Sequence, residues 1–559
     1  MRREAEILAA VKKVHTIPGI LDSIIERYGT EIIATRTNKD GKISEAAYGE
    51  LKRDALSLAS FLEQKNLSGQ PIAVVGNLSY EWLVIFFGIL YSGNIVVPID
   101  KDFEEKEIAR LMRQVNVKAL LIDVCLSNKA IYLKNSFKDL AVFLSFSEYR
   151  EGGIDGFRNI QALSGRSSKA NKIKLDPDQD AVYVFTSGTT GDNKAVMLTH
   201  KNVSANVAGC MHVFEARYGP GTTIQVLLPP HHMYGITAAI LSPMFYGAAL
   251  GLGGGIMNLT KNAKVYRPNN FIFVPMAAEA MYNKIKAEVK RKGAEEKFAK
   301  GIRISQSLRR IGIDVRRKLF KEVLAEFGGN FKTFICGGAY LEPYLIDRFD
   351  EIGVDLRNGY GISECSPTVA HSTKREFRKG SVGKALPKPY IEVKIIDGEI
   401  CVKGTCVFRG YYNDEEATNN AFTSDGWFKT GDLGCIDDDG YIWISGRKKN
   451  LIILGDGNNI APEEIEGYFK EIPIVKAVII YGEKEARNTL IAALVHPDHD
   501  YVKSAKTADV KAAVQKEIDK INENLPVFKK IEKVTIREND FERTTIGKIK
   551  RHKHITDIL

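Results

Sequence analysis

Short apolar runs alternate with stretches of helical period through most of this chain. Pro71-Ile72-Ala73-Val74-Val75 precedes a helical pattern over 81–91, and Ala119-Leu120-Leu121-Ile122 follows one over 104–114. Continuous apolar runs of four or five residues between turn signals read as strands buried on both faces, with the helices as crossovers. Further strands are predicted at 224–228, 271–274 and 333–336. The longest apolar run, Leu83 to Pro98, is broken by Gly88, Ser92, Gly93 and Asn94. It reads as a helix, a glycine turn and a short strand, because a membrane span needs about 20 mostly apolar residues. From about residue 383 the pattern changes to shorter strands and turns, at 392–396 and 398–402, which suggests a β-rich subdomain. After Lys449 a compact α+β segment is expected, with strands near 477–481 and 491–496 and a helix near 510–524. The pattern is that of an α/β protein, with its main boundary at 447–450.

Size and charge narrow this picture. At 559 residues the chain exceeds one hydrophobic core and should divide into two or three domains. With 44% hydrophobic and 26% charged residues it has an ordinary soluble composition. The net charge of +10 suits anionic substrates. It would also suit nucleic acid, but no aromatic stacking platform or helix-turn-helix pattern is present, so no nucleic-acid partner is expected. Seven cysteines without a C-x-x-C pair do not form a disulfide framework. The N-terminus mixes acids with its basic residues and no apolar segment follows, so a cytoplasmic location is expected.

The chemistry concentrates after the predicted strand 181–185. Thr186-Ser187-Gly188-Thr189-Thr190-Gly191-Asp192-Asn193-Lys194 places two glycines, four hydroxyls and one lysine within nine residues. Glycines let backbone approach an anion, amides and hydroxyls donate to phosphate oxygens, and the lysine adds a point charge. It is not a Walker loop, in which glycine directly precedes lysine and a hydroxyl follows. The stretch, continued by Val196-Met197-Leu198-Thr199-His200, resembles the phosphate loop of the AMP-forming acyl-adenylate superfamily. That superfamily comprises acyl-CoA synthetases, aryl-CoA ligases, luciferases and peptide-synthetase adenylation domains. Asn193 and Ala195 depart from the family's proline and glycine.

Other segments follow the family's order. His231, His232 and Tyr234-Gly235 match the part that lines its acyl pocket; a pair of adjacent histidines on a strand would face opposite ways and make a poor metal site. No acid occurs between Leu227 and Thr237, so a buried ammonium would lack a counter-charge and an α-amino acid is a poor candidate substrate. Gly337-Gly338-Ala339-Tyr340-Leu341 and Asn358-Gly359-Tyr360-Gly361-Ile362-Ser363-Glu364 offer glycines alternating with an aromatic, a slot for adenine. Glu364 supplies a hard oxygen for Mg²⁺. Thr430-Gly431-Asp432-Leu433 resembles the ribose-binding element. Gly446-Arg447-Lys448-Lys449, the stretch from Gly457 to Glu466, and Thr544-Thr545-Ile546-Gly547-Lys548-Ile549-Lys550-Arg551 resemble the C-terminal elements, with Asp456 replacing a glycine.

The resemblance spans almost the whole chain and is nearest to long-chain-type acyl-CoA synthetases. It implies a large N-terminal domain, 1–447, of doubly wound αβ subdomains plus the β-rich subdomain from about 383, and a small mobile α+β domain, 448–559. It implies ATP, Mg²⁺ and CoA as cofactors and a fatty or similar apolar carboxylic acid as substrate. By resemblance, Lys548 is the catalytic lysine, Thr186 and Glu364 hold the metal, His232 belongs with the catalytic set, and Lys449 is the hinge. Residues 186–191 with Lys194, Gly338, 358–361, Ser363, Asp432, Arg447 and Lys548 hold the nucleotide, and Gly457 lines the pantetheine tunnel. An acyl carrier protein in place of CoA, or a non-catalytic nucleotide-binding regulator, are the competing readings. The basic helical stretch 284–321 reads either as a peripheral membrane contact or as a solvated helix face.

Overall fold

A computed structural model describes residues 2–39, 42–146, 158–159, 174–187, 193–213, 218–253, 258–454, 458–470, 472–485, 488–544 and 548–556. The predicted runs fold as expected: Pro71–Val75, Ala119–Ile122, Thr333–Cys336 and Glu392–Ile396 are strands, and Tyr80–Tyr91, Glu105–Gln114 and Val510–Asn524 are helices. Ser79 caps the helix Tyr80–Tyr91 by accepting from the Trp82 amide.

Two large sheets carry most of the chain. One has eight strands, in the order Gly410–Tyr411, Asn193–Thr199, Asp180–Ser187, Ile95–Ile99, Pro71–Val75, Ala119–Ile122, Val142–Ser145 and Arg158–Asn159. From Ile95–Ile99 outward its pairs are parallel, and Asp180–Ser187 closes a hairpin with Asn193–Thr199. The other sheet has nine strands, with Asn270–Phe273, Thr333–Cys336 and Asp355–Gly361 parallel near its centre. Strands with every residue buried, such as Pro71–Val75 and Ile95–Ile99, are the apolar runs of the sequence, as parallel sheets covered on both faces require.

Four strands, 392–396, 399–403, 428–436 and 442–447, form a separate sheet, and Val475–Glu485, Asn488–Pro497 and Lys533–Ile536 another. By proximity the chain divides into two compact units, residues 1–393 with 402–428, and residues 394–401 with 429–559. The second has its own core, built by Ile465, Phe469, Ile480, Val495, Val514 and Ile518 among others. Among the described residues no helix is long and apolar enough to cross a membrane.

Candidate active site

The hairpin places Thr186 opposite Lys194. Gly188, Thr189, Thr190 and Gly191 lie outside the described residues, and of Ser187 only its strand position is described. The Lys194 ammonium sits 4.9 Å over the ring of Tyr411. That ring belongs to an edge strand of the same sheet, and its hydroxyl donates to Glu364 Oε1 at 3.0 Å. Tyr411 thus joins two predicted site residues that are 170 positions apart in sequence, and nothing in its own neighbourhood signals this. Burial, then the Glu364 carboxylate, pushes its phenol well above the ordinary value.

The two departures have local compensation. Asn193 donates to Glu107 Oε1 at 2.9 Å, and its carbonyl accepts from Gln114 at 2.8 Å. These bonds to the helix Glu105–Gln114 hold the loop's end where a proline ring would otherwise restrict it. Ala195 is 1% exposed, its methyl taken into the apolar core with Ala73, Val97 and Leu120. A cavity of about 190 Å³ lies beside it, lined by Gln114, Asn193, Lys194, Tyr411, Tyr412 and Asp414 among others.

The adenine-slot residues sit on and beside the strand Asp355–Gly361. Gly338 has φ +83°, a turn that an L side chain resists. A Cβ on Gly361 would lie 2.3 Å from the Pro367 carbonyl oxygen, so only glycine fits. Asn358 donates to the Ser381 carbonyl at 3.3 Å. Tyr360 is buried, whereas Tyr340, in the Gly-Gly turn, is 57% exposed. Ser363 and Glu364 form a short 3-10 turn, pinned where the Phe408 amide donates to the Glu364 carbonyl at 2.7 Å.

His231 and His232 do not continue a strand. They occupy a turn after Thr223–Gln225, and their ring centroids lie 4.3 Å apart. Opposed orientation, expected from strand geometry, is lost because the pleat has ended before Pro229. Asp100, directly after the strand Ile95–Ile99, brings its carboxylate 3.3 Å from His231 Nε2. The loop without an acid in sequence therefore meets a buried acid in space. Burial pushes His231 down to about 4, and burial raises the Asp100 carboxyl. With its proton on Nε2, a neutral His231 can donate to Asp100 across that distance.

Tyr234–Leu241 then forms a π-helix, a geometry that is rare and concentrates at functional sites. The Tyr234 hydroxyl reaches the carbonyls of Phe273, at 3.1 Å, and Ile335, at 3.3 Å. Its ring lies 3.1 Å from where a Cβ on Gly337 would be. Tyr234 therefore bridges the ends of two parallel strands, with the apolar π-helix residues Ile236, Ala238 and Ile240 buried behind it.

In the second unit Asp432, 3% exposed, pairs in register with Arg447, whose Nε donates to Oδ1 at 2.7 Å. Beside them Glu399 accepts from the Gly431 amide and from Lys448, each at 2.8 Å. Lys449 is exposed as a whole residue, and partial desolvation, then Arg447, lowers its ammonium. The Lys548 carbonyl accepts from the Thr544 amide at 2.8 Å, and its amide donates to the Thr544 hydroxyl at 3.1 Å. Desolvation, with Arg447 and Lys449 repelling it and Asp432 attracting it, pushes Lys548 down to about 8. Lys548 is exposed as a whole residue, so solvent weakens both the desolvation and the repulsion. Gly457 and residues 545–547 lie outside the described residues.

Among the described residues no group of three His, Cys, Asp or Glu side chains is placed to hold a metal ion by itself. Glu364, with one oxygen held by Tyr411, and the Thr186 hydroxyl are hard oxygen donors. They fit Mg²⁺ when phosphate and water oxygens complete the shell.

Residues 26–412 match the family model described as AMP-binding enzyme, and residues 449–557 match the AMP-binding enzyme C-terminal domain. A long-chain-fatty-acid–CoA ligase of Mycobacterium bovis is 29% identical over 490 residues, covering 85% of this chain and 80% of that one. The peroxisomal long chain acyl-CoA synthetase 7 of Arabidopsis thaliana is 29% identical over 518 residues, 86% of this chain and 73% of its own. Among solved structures, ATP-bound MatB from Rhodopseudomonas palustris superposes with a TM-score of 0.75 at 24% identity, covering 97% of this chain and 99% of that one. A fatty acyl CoA synthetase of Mycobacterium tuberculosis gives 0.66 at 21% identity, covering 97% and 98%.

Proposed function

The chain belongs to the AMP-binding enzyme family, and from that premise we propose that it is an ATP-dependent acid–thiol ligase. It activates a fatty acid of medium to long chain as an acyl-adenylate and passes the acyl group to the thiol of CoA. The observation that carries the reading is that both family models match in order along one chain, while relatives named as long-chain ligases cover 85% and 86% of it. The apolar surroundings of Tyr234 support an apolar acid.

The first task is charge. A carboxylate approaching the α-phosphate of ATP meets a like charge, and two unit charges about 4 Å apart repel by roughly 4 kcal/mol at an effective dielectric near 20. In the proposal Lys194 and the phosphate-loop donors hold the β- and γ-phosphates, and the Lys548 ammonium draws charge from the α-phosphate as pyrophosphate leaves. Mg²⁺, held through Glu364 and Thr186, supplies charge neutralisation when bound. No side-chain base is needed, because the nucleophile is already ionised. Tyr360, Asp432 and Arg447 position the AMP moiety, the carboxylate accepting from ribose hydroxyls. Lys449, at the sequence junction between domains 1–447 and 448–559, is the proposed pivot, and Gly457 the backbone that lines the thiol's approach. The thiol then attacks the acyl carbon, and AMP departs.

The proposal takes CoA rather than a carrier-protein arm as the acceptor, following the relatives' names. It places the protein in the cytoplasm, where ATP and CoA are both present. Pyrophosphate release measured over a panel of carboxylic acids, with and without CoA, tests it. Acid-dependent pyrophosphate and CoA-dependent thioester are expected. Failure to form acyl-AMP from any acid overturns the function, and thioester formed only on a carrier protein overturns the acceptor. Cell fractionation checks the location.

A further inference from the structure

One carboxylate oxygen beside the proposed pivot is buried without a donor. Glu463 is the second residue of the helix Pro462–Gly467, which packs on the strand Ile442–Arg447. Its Oε1 accepts from the Asn450 side-chain amide, and the Arg551 guanidinium stands 3.8 Å from the same oxygen. Its Oε2 is shut from solvent and has no hydrogen-bond partner among the described residues. That oxygen lies against Gly446, 3.1 Å from where a Cβ on that glycine would be. Ala461 presses on the same glycine, 2.8 Å from that position, so strand and helix meet with no room for a side chain.

Such an oxygen is costly, because a carboxylate taken from water without a donor loses its hydration and gains no bond in return. Buried polar groups without partners are few in folded proteins, and each calls for a reason. Helix stability does not supply one. An acid in a first turn suits the helix dipole, but Glu464, one residue on, provides that from the surface. Both its oxygens are held by Lys529, at 2.7 and 2.8 Å. Position along the chain does supply a reason. Gly446 precedes Lys449, whereas Asn450 and Glu463 follow it. A turn about Lys449 would carry the helix off Gly446 and open Oε2 to water, leaving the bond from Asn450 to Oε1 on one side of the pivot. The cost then falls on one arrangement only, the one in which Arg447, Lys449 and Asp432 act on the Lys548 ammonium.

We infer that Glu463 is a positioning residue for the second half-reaction: its unpartnered oxygen biases the pivot away from the adenylation arrangement and toward the one that admits the thiol. The inference rests on the reading of Lys449 as the pivot between the two half-reactions. A cost borne by one state alone shifts the population to the other. Exchange of labelled pyrophosphate into ATP, and thioester formation from supplied acyl-adenylate and CoA, are measured for the parent protein and three variants. Glu463→Ala removes the oxygen with its charge. It should keep exchange at or above the parent rate and slow thioester formation about tenfold, the weight of one unpartnered buried group. Glu463→Gln leaves an uncharged amide in the same place, whose burial costs less, and should fall between the two. Asn450→Ala takes the donor from Oε1 and adds to the cost, so exchange should fall severalfold while thioester formation does not. Thioester formation at the parent rate in Glu463→Ala overturns the inference and leaves the proposed function standing. So does an equal fall of both half-reactions in that variant, which a merely structural role would give, or slower thioester formation in Asn450→Ala. A parent protein that performs neither half-reaction overturns both.

Discussion

If Lys548 serves adenylation alone, replacing it should separate the two half-reactions, with a pH dependence set by the electrostatics around its ammonium. Desolvation, then repulsion from Arg447 and Lys449, brings its ammonium from the ordinary 10.5 to about 8. At pH 7 roughly nine tenths of the side chain then carries its proton, and at pH 9 about one tenth. If the ammonium stabilises charge developing on the α-phosphate, adenylation should fall about tenfold per unit above pH 8. Lys548→Ala removes one preorganised donor, a loss of about 10²–10³ in rate. Exchange of labelled pyrophosphate into ATP reads the first half-reaction, and thioester formation from supplied acyl-adenylate reads the second. The first should show the full loss and the second little. Lys548→Arg should be slower than the parent yet lose the alkaline limb, because a guanidinium stays charged throughout. An equal loss in both half-reactions, or a limb near pH 8 that survives in Lys548→Arg, would refute the assignment. Stability should run the other way. Between about 8 and 10.5 the unfolded chain binds the extra proton, so stability rises with pH in that window. Solvent access to Lys548 keeps that effect small.

Three further outcomes are expected. Asp100→Asn takes the charged acceptor from His231, a bond of about 1.5–3 kcal/mol. It should lower both the melting temperature and kcat/KM for the acid, by about tenfold for the latter, and unchanged values in both would show the contact to be idle. Tyr411→Phe removes the hydroxyl that holds Glu364. By analogy with other outer-shell partners it should weaken the apparent magnesium affinity in pyrophosphate exchange by about 10–100-fold, and an unaltered magnesium titration counts against Glu364 as the ligand. Glu466 accepts from the Ile480 amide at 2.8 Å and from Arg551, and burial raises its carboxyl to about 7. Since that value lies above the ordinary 4.5, its contribution to stability is present at low pH and is lost as pH rises through 7. Denaturant midpoints should fall less between pH 5 and pH 8 in Glu466→Gln than in the parent protein. Equal falls would remove Glu466 from the account.

The elements legible in the sequence were those whose signal is local. Pro71–Val75 and Ala119–Ile122 are strands because four or five consecutive apolar residues can be buried only where a sheet is covered on both faces. Gly361 is needed because backbone passes too close for a Cβ.

The contacts decided by tertiary structure join residues far apart in sequence. Asp100 meets His231 and Tyr411 spans Lys194 and Glu364. Nothing in the sequence of Gly410–Tyr411 shows that it adds as a strand to the edge of Asn193–Thr199. Strand order is a choice among many pairings of similar local energy, settled by packing across the whole sheet. The π-helix at Tyr234–Leu241 escaped for the same reason. Its composition is that of any buried helix, and only the surrounding strands determine how its backbone turns. The sequence by itself determined which chemistry the chain carries, because each motif is a run of adjacent residues. The fold alone determined which of those groups touch.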